Sequence, residues 1–134
     1  MGSALVTDDV VHVAAFRAAL RQFLRRTERS ARAADLTPQR YLLLLMIKGA
    51  PDGSEQSTVT ELADRLQLAQ STVTELVRRA EEVGLVEREQ SSRDGRVAHL
   101  RLTAEGERRL SRSFTDNATE RATLRDAFAR LEGR

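Results

Sequence analysis

The sequence contains no cysteine, and this absence excludes several kinds of site at once. Disulfide bridges, thiolate metal ligands and thiol-based redox sensing all require that residue. No apolar run approaches the roughly 18 residues that a membrane-spanning helix needs. The first residues also lack the basic and apolar segments of a signal peptide. We therefore expect a cytoplasmic protein that does not associate with membranes.

Groups that perform catalysis are scarce as well. The chain has two histidines, His12 and His99. It contains no Ser/His/Asp set, His-x-x-x-His pair, glycine-rich phosphate loop or cluster of metal ligands. We expect no enzymatic activity, no cofactor and no metal. His99 is interpreted as a surface residue of a strand, and His12 as a surface or interface residue of a helix, with an effector contact as the less favoured alternative.

Lysine is nearly absent. Lys48 is the only lysine among the 22 lysine and arginine residues. Arginine offers a planar, permanently charged group that suits phosphates and base edges. A preference for arginine can equally reflect genome composition, and the net charge of +2 does not by itself indicate DNA. Local clustering is more informative. Six arginines lie between positions 78 and 101, namely Arg78, Arg79, Arg88, Arg93, Arg96 and Arg101.

The segment Thr60–Val86 has the pattern of two helices joined by a tight turn. Its apolar residues keep the i, i+3 or i+4 spacing of a single helical face on each side of Gln67–Gln70. They are Leu62, Ala63 and Leu66, followed by Val73, Leu76, Val77 and Ala80. Because Gln67–Gln70 is too short for any other connection, the segment predicts a helix-turn-helix.

The second helix of this unit has a polar face that suits DNA. Small hydrogen-bonding side chains occupy its first half, and Arg78 and Arg79 follow. Such side chains can approach base edges, and guanidinium groups can bind phosphates or guanine. An ordinary solvated helix face is also polar, so this feature alone is weak.

A predicted wing follows the second helix. Gly84 suits the left-handed conformation that ends a helix, and Leu85–Glu89 has the pattern of a strand. The polar segment Gln90–Arg96 contains an Asp-Gly turn signal. From Val97 the chain alternates between apolar and polar residues. The ordered set of helix, turn, helix and hairpin predicts a winged helix, and the fold class is mainly α with a small β-hairpin wing.

Helices are also predicted on both sides of this unit. Thr7 and Asp8 are candidate N-caps of the first helix, which carries an apolar stripe. Thr37 and Pro38 open the second helix, and Thr58–Val59 is a candidate third strand of the wing. Thr58, with Glu61 as a capping box, or Thr60 caps the next helix. Thr103 caps a fifth helix, and a last one runs from about Thr119 to Leu131. The stripe of the first helix comprises Val13, Phe16, Leu20, Phe23, Leu24 and Thr27.

From Thr58 to Gly106 the chain resembles the MarR (multiple antibiotic resistance regulator) family of bacterial transcription factors. The order and spacing of its motifs match the family pattern. These motifs are Glu61–Leu62–Ala63 with Leu66, Ser71–Thr72–Val73–Thr74, Arg79, the run from Glu82 to Arg88, Asp94-x-Arg96, and the run from Leu102 to Gly106. The resemblance implies a winged helix at 37–103 between dimerisation helices at 7–34 and 104–131. The segment after Thr103 is shorter than is usual in the family.

The resemblance also implies a function and its residues. We expect a homodimeric repressor that binds a pseudo-palindromic operator in double-stranded DNA and is released by a small aromatic or anionic effector. Arg17 and Arg40 are candidates for holding a carboxylate, although solvated arginine is the simpler interpretation. The expected DNA contacts are Gln70, Ser71, Thr72, Thr74, Glu75, Arg78, Arg79, Arg93, Asp94 and Arg96. Two alternatives are a winged helix that binds only proteins and an accessory domain of an enzyme.

At Arg78 the chain departs from the family, in which an aspartate commonly pairs with the arginine that matches Arg96. Two arginines at these positions repel each other at close range. We therefore expect a different contact, between Asp94 and Arg78 or Arg79, or between Glu75 and Arg96.

Overall fold

Six helices and three strands make up the part of the chain that the computed structural model describes, which is residues 4–90, 97–115 and 117–132. In order they are α1 (Thr7–Ala33), α2 (Pro38–Lys48), β1 (Gln56–Ser57), α3 (Val59–Leu66), α4 (Gln70–Glu82), β2 (Val86–Gln90), β3 (Ala98–Leu102), α5 (Ala104–Thr115) and α6 (Ala118–Leu131). Over these residues, no helix is both long and apolar enough to span a bilayer.

The starts of the inner helices follow from local capping. The Thr37 side chain accepts a hydrogen bond from the Arg40 amide at 3.1 Å, and Pro38 is the first residue of α2. At α3 the Thr58 side chain accepts from the Glu61 amide at 3.2 Å, while the Thr58 amide donates to Glu61 Oε1 at 2.9 Å. Thr58 rather than Thr60 is therefore the cap, and the capping box is confirmed.

The position of the third strand and the cap of α1 were predicted wrongly. The third strand lies at Gln56–Ser57 instead of Thr58–Val59, because the capping box makes Val59 the first residue of α3. Neither Thr7 nor Asp8 caps α1. The cap position is Val6, which makes no side-chain hydrogen bond there, and Thr7 is already helical.

The three strands form an antiparallel sheet in the order β1-β3-β2. Ser57 pairs with Leu100, and Val86 pairs with Leu102. Leu100 and Leu102 are buried and Arg101 is exposed, as the alternation predicted. The strand β2 begins one residue later than expected because the Leu85 amide still donates to Ala80 O in α4, at 2.9 Å.

Gly84 ends α4 in the predicted way. Its φ is +76°, and its amide donates to Glu81 O at 3.1 Å. Together with the Leu85–Ala80 bond, this is the Schellman arrangement, which satisfies carbonyls that the helix end leaves free.

The core of the winged unit is built around α2. Its side chains Leu43, Leu44 and Ile47 are fully buried. The other elements contribute Leu62 from α3, Val73 and Val77 from α4, Leu85, and Leu100 from β3, all of them fully buried.

The terminal helices pack against one another through α1, with α5 and α6 on its flank. A buried polar contact joins all three. Ser30 Oγ of α1 donates to Asn117 Oδ1 at 3.0 Å, and Asn117 Nδ2 donates to Ser113 O of α5 at 2.9 Å. Because buried polar groups must be hydrogen-bonded, this contact fixes the junction of α5 and α6 against α1.

The first turn of α5 approaches the end of α4 closely. A Cβ atom at Gly106 would lie 2.2 Å from Leu85 O. That same carbonyl accepts the Thr103 amide at 3.0 Å. Because the atom that would clash belongs to the backbone, no flexible side chain could move aside to make room for a Cβ at Gly106.

Gly106→Ala should therefore lower the free energy of unfolding by about 2–3 kcal/mol, as overpacking against backbone does. Urea denaturation measures the change, and Ser111→Ala on the exposed side of the same helix is the control. Equal stability of the two variants would contradict the close approach of α5 to Leu85.

Candidate nucleic-acid interface

The α3–turn–α4 unit presents α4 at the surface. Gln67 takes the left-handed conformation at the end of α3, with φ +57°. Its amide donates to Asp64 O at 3.3 Å, and the Leu68 amide donates to Ala63 O at 3.1 Å. The chain then passes through Ala69 directly into α4. The predicted helix-turn-helix is confirmed.

The burial pattern of α4 divides the helix as the sequence predicted. Val73, Leu76, Val77 and Ala80 are buried against the core. The polar candidates lie on the opposite side. Gln70, Ser71, Thr72, Thr74, Arg78 and Arg79 are exposed, and Glu75 is half-buried. The structure thus brings seven of the ten proposed contact residues to one surface, here called the α4 face. Arg93, Asp94 and Arg96 lie outside the described residues.

Glu75 joins the two arginines of the α4 face. Arg78 Nε donates to Glu75 Oε2 at 2.9 Å, and Arg78 Nη2 donates to Oε1 at 2.5 Å. Arg79 Nε donates to the same Oε1 at 3.1 Å. Arg78 Nη1 also donates to Glu82. These ion pairs were not predicted, although the i, i+3 and i, i+4 spacings in the sequence favour them.

These contacts shift the ionisation of both partners. Hydrogen bonds from Arg78 and Arg79 lower the pKa of Glu75 from 4.5 to about 2. The hydrogen bond to Glu75 raises the pKa of Arg78. The α4 face therefore keeps its full complement of charges at neutral pH. The contacts proposed for Asp94 and Arg96 involve residues outside the described ranges.

A second ion pair joins β2 to α4. Arg88 Nη2 of β2 donates to Glu81 Oε1 of α4 at 3.0 Å, and Arg88 Nε donates to Oε2 at 3.4 Å. These hydrogen bonds raise the pKa of Arg88. Across the sheet, Arg101 Nη1 donates to Glu89 Oε2 at 3.0 Å. Each described arginine of the 78–101 cluster thus has a carboxylate within 4 Å.

The candidates for effector contacts do not converge. Arg17 lines a groove along α1, whereas Arg40 lines a separate depression beside Arg32 and Asp35. His12 and His99 are both half-buried, in α1 and β3.

A groove that was not predicted from the sequence lies between α2 and α5. It has a volume of about 380 Å³. Lys48 is placed at its edge, where Nζ bonds to Glu107 Oε1 at 2.9 Å and to Glu55 Oε2 at 3.0 Å. The residues that line it are Leu45, Lys48, Gly49, Glu107, Leu110, Ser111 and Phe114. Among the described residues, no group of three or more His, Cys, Asp or Glu side chains is placed to hold a metal ion.

Comparison with known proteins bears on this arrangement. A sequence model described as the MarR family matches residues 34–97. The resemblance to the MarR family is confirmed. The match covers most of the winged helix and leaves α1, β3, α5 and α6 outside. Among curated proteins, none matches the sequence.

Solved structures of MarR proteins share the fold. Wild-type MarR from E. coli, in its apo form, superposes with a TM-score of 0.69 at 20% identity and covers 98% of this chain and 94% of its own. AbsC, a MarR family transcriptional regulator from Streptomyces coelicolor, has a TM-score of 0.66 at 19% identity. The superposition covers 97% of this chain and 84% of AbsC. A mutant E. coli MarR complexed with operator DNA has a TM-score of 0.69 at 20% identity, with 97% and 94% covered. The predicted fold class, a mainly helical MarR-type winged helix, is therefore confirmed.

The Glu75 network predicts an unusual titration. Because the pKa of Glu75 is lowered in the folded chain, its ion pairs stabilise the fold above about pH 4.5. That contribution is lost as the pH falls through about 2. Carbon NMR of the Glu75 carboxyl should give a midpoint near 2 in the parent, and one closer to 4.5 in Arg78→Ala. A parent midpoint at the ordinary glutamate value would contradict the network.

Proposed function

We propose that this MarR-type chain is a sequence-specific regulator of transcription that binds double-stranded DNA as a homodimer and acts as a repressor released by a small molecule. The observation that carries the proposal is the exposed polar α4 face of a MarR-type winged helix. The likeness to a MarR protein complexed with operator DNA supports it. Such a regulator acts in the cytoplasm, where bacterial DNA is found.

In the proposed complex, α4 enters the major groove. Gln70, Ser71 and Thr74 lie in its first half, where short polar side chains come within reach of base edges. Thr72, on the flank of the α4 face, is assigned to a phosphate. Arg93 and Arg96 of the wing are assigned to the minor groove, with Asp94 beside them, on the sequence pattern alone.

Homodimer formation is supported by apolar surface on the terminal helices. The side chains of Val13, Leu24 and Phe128 are about half exposed, at 49%, 48% and 50%. Phe16 and Phe128 pack against each other with ring centroids 6.0 Å apart. Apolar side chains along α1 and α6 are the kind of surface that a second copy would cover. Two copies related by a two-fold axis would place their α4 helices at operator halves about 10 base pairs apart.

A small aromatic or anionic effector is the remaining part of the proposal. The α2–α5 groove supports an aromatic effector, because Leu45, Leu110 and Phe114 give it apolar walls. The groove lies between α2 of the winged unit and α5. A molecule bound there would contact both, and this contact is how it would affect DNA binding.

DNA binding should be steeply salt-dependent if phosphates contribute to it. A duplex selected from a randomised library by the purified chain serves as the probe, and a scrambled duplex serves as its control. Raising salt from 50 to 200 mM should weaken binding to the selected duplex about 10³-fold. Thr74→Ala should reduce affinity for the selected duplex about fivefold, and Thr119→Ala on α6 should leave it unchanged.

The same experiment tests the alternative of a winged helix that binds only proteins. That alternative predicts no enriched sequence after selection and the same weak affinity for both duplexes.

Dimer formation has its own test. Leu24→Glu places a charge on the apolar surface of α1. Because the Leu24 side chain is 48% exposed, the change should cost the isolated chain little stability. Sedimentation at micromolar concentration should show a dimer for the parent and a monomer for this variant. Gln22→Glu adds the same charge on another side of the helix and should remain dimeric. A monomeric parent would rule out the homodimer.

A further inference from the structure

The Arg78 side chain is already heavily bonded within α4. A guanidinium group has five N–H donors. Three of them are engaged, two with Glu75 and one with Glu82. The two that remain equal the number that a bidentate contact with guanine O6 and N7 uses.

Glu75 constrains Arg78 more strongly than Glu82 does. Its carboxylate holds the Nε and Nη2 atoms together, in the parallel, two-bond geometry that fixes the plane of a guanidinium. A side chain fixed before binding loses less conformational freedom when it meets its target. The Glu75 carboxylate is also held by Arg79, whose Nε donates to Oε1 at 3.1 Å.

The same carboxylates reduce the positive charge that α4 offers to phosphates. Arg78 and Arg79 contribute two positive charges, and Glu75 and Glu82 contribute two negative ones within hydrogen-bonding distance. Attraction to phosphates does not depend on base sequence. Neutralising the positive charge therefore lowers the affinity for every duplex equally. Contacts with base edges then determine which sequence is preferred.

We propose that Glu75 is a positioning residue that sets DNA specificity: it holds Arg78 for a bidentate contact with one guanine and withholds Arg78 and Arg79 from phosphates. This inference rests on the proposed DNA binding. It assigns Glu75 a role through Arg78, which differs from a direct contact between Glu75 and a cytosine amino group.

The experiment begins with the parent chain and the two duplexes described above. Salt-dependent binding together with a preference for the selected duplex establishes the proposed DNA binding before any variant is compared. Without that preference, the proposed function itself fails. Arg78→Ala then identifies the contacted base pair, because removing a bidentate arginine relaxes specificity at one position. If it relaxes none, Arg78 makes no base contact and the role of Glu75 is overturned.

Glu75→Gln and Glu82→Gln are matched variants, because each removes one negative charge from α4. Both should raise affinity for the scrambled duplex about threefold and steepen the salt slope by up to about one. Only Glu75→Gln should reduce the preference for guanine at the identified position, by about tenfold. Glu82→Gln should keep that preference within about twofold. Equal loss in both variants would show that charge alone matters and would overturn the proposal.

A double-mutant cycle separates positioning from direct contact. In the Arg78→Ala background, Glu75→Gln should have no further effect at the identified base pair. A full effect in that background would mean that Glu75 contacts a base itself.

A measurement without DNA completes the test. The Nε–H resonance of Arg78 should be protected from exchange with water in the parent and in Glu82→Gln, and should exchange rapidly in Glu75→Gln. Rapid exchange in the parent would show that Arg78 is not held before DNA arrives. Circular dichroism confirms that each variant remains helical.

Discussion

The burial of α2 is the constraint on which the winged helix depends. Leu43, Leu44 and Ile47 leave no room for water, and α2 contacts α1, α3, α4, α5, β1 and β3. Burying each such side chain contributes about 1.5–3 kcal/mol. Because α4 must supply Val73, Leu76, Val77 and Ala80 to this core, its polar side has only one direction in which to face. The exposed α4 face is thus a consequence of packing rather than a separate feature.

Electrostatics then decides what kind of surface the α4 face is. The sequence shows a local cluster of arginines, and each described one is paired with a glutamate. The partners of Arg78 and Arg79 lie in the same helix, that of Arg88 lies in α4, and that of Arg101 lies in β2. Each pair is exposed and contributes little to stability. The effect of these pairs is to orient the arginine side chains and to reduce the local positive charge. A surface neutralised in this way favours recognition by hydrogen-bond geometry over attraction to any polyanion, which agrees with a net charge of only +2.

Local signals in the sequence were sufficient for most of the fold. The cap at Thr37, the capping box at Thr58, the helix-turn-helix and the Gly84 termination all depend on residues within one or two turns of each other. The α1 start was misplaced because Thr7 and Asp8 suit either a cap or a first turn. Contacts between residues far apart in the sequence could not be predicted from local patterns. The Lys48–Glu107 bond joins residues 59 positions apart, and the Ser30–Asn117 bond joins residues 87 positions apart. The α2–α5 groove depends on that kind of contact, so nothing in the sequence indicated it.

The same distant contacts connect the α4 face to the terminal helices. The Thr103 hydroxyl donates to Gly84 O at 2.6 Å and accepts the Gly106 amide at 3.1 Å, so one side chain joins the end of α4 to the start of α5. Further along α5, Arg112 Nη2 donates to Ala33 O at the end of α1, at 2.9 Å. With Gly106 packed on Leu85, α5 cannot shift along α2 without breaking a bond at Thr103 or moving the end of α4. The terminal helices are therefore joined, through α5, to the end of the helix proposed to bind DNA.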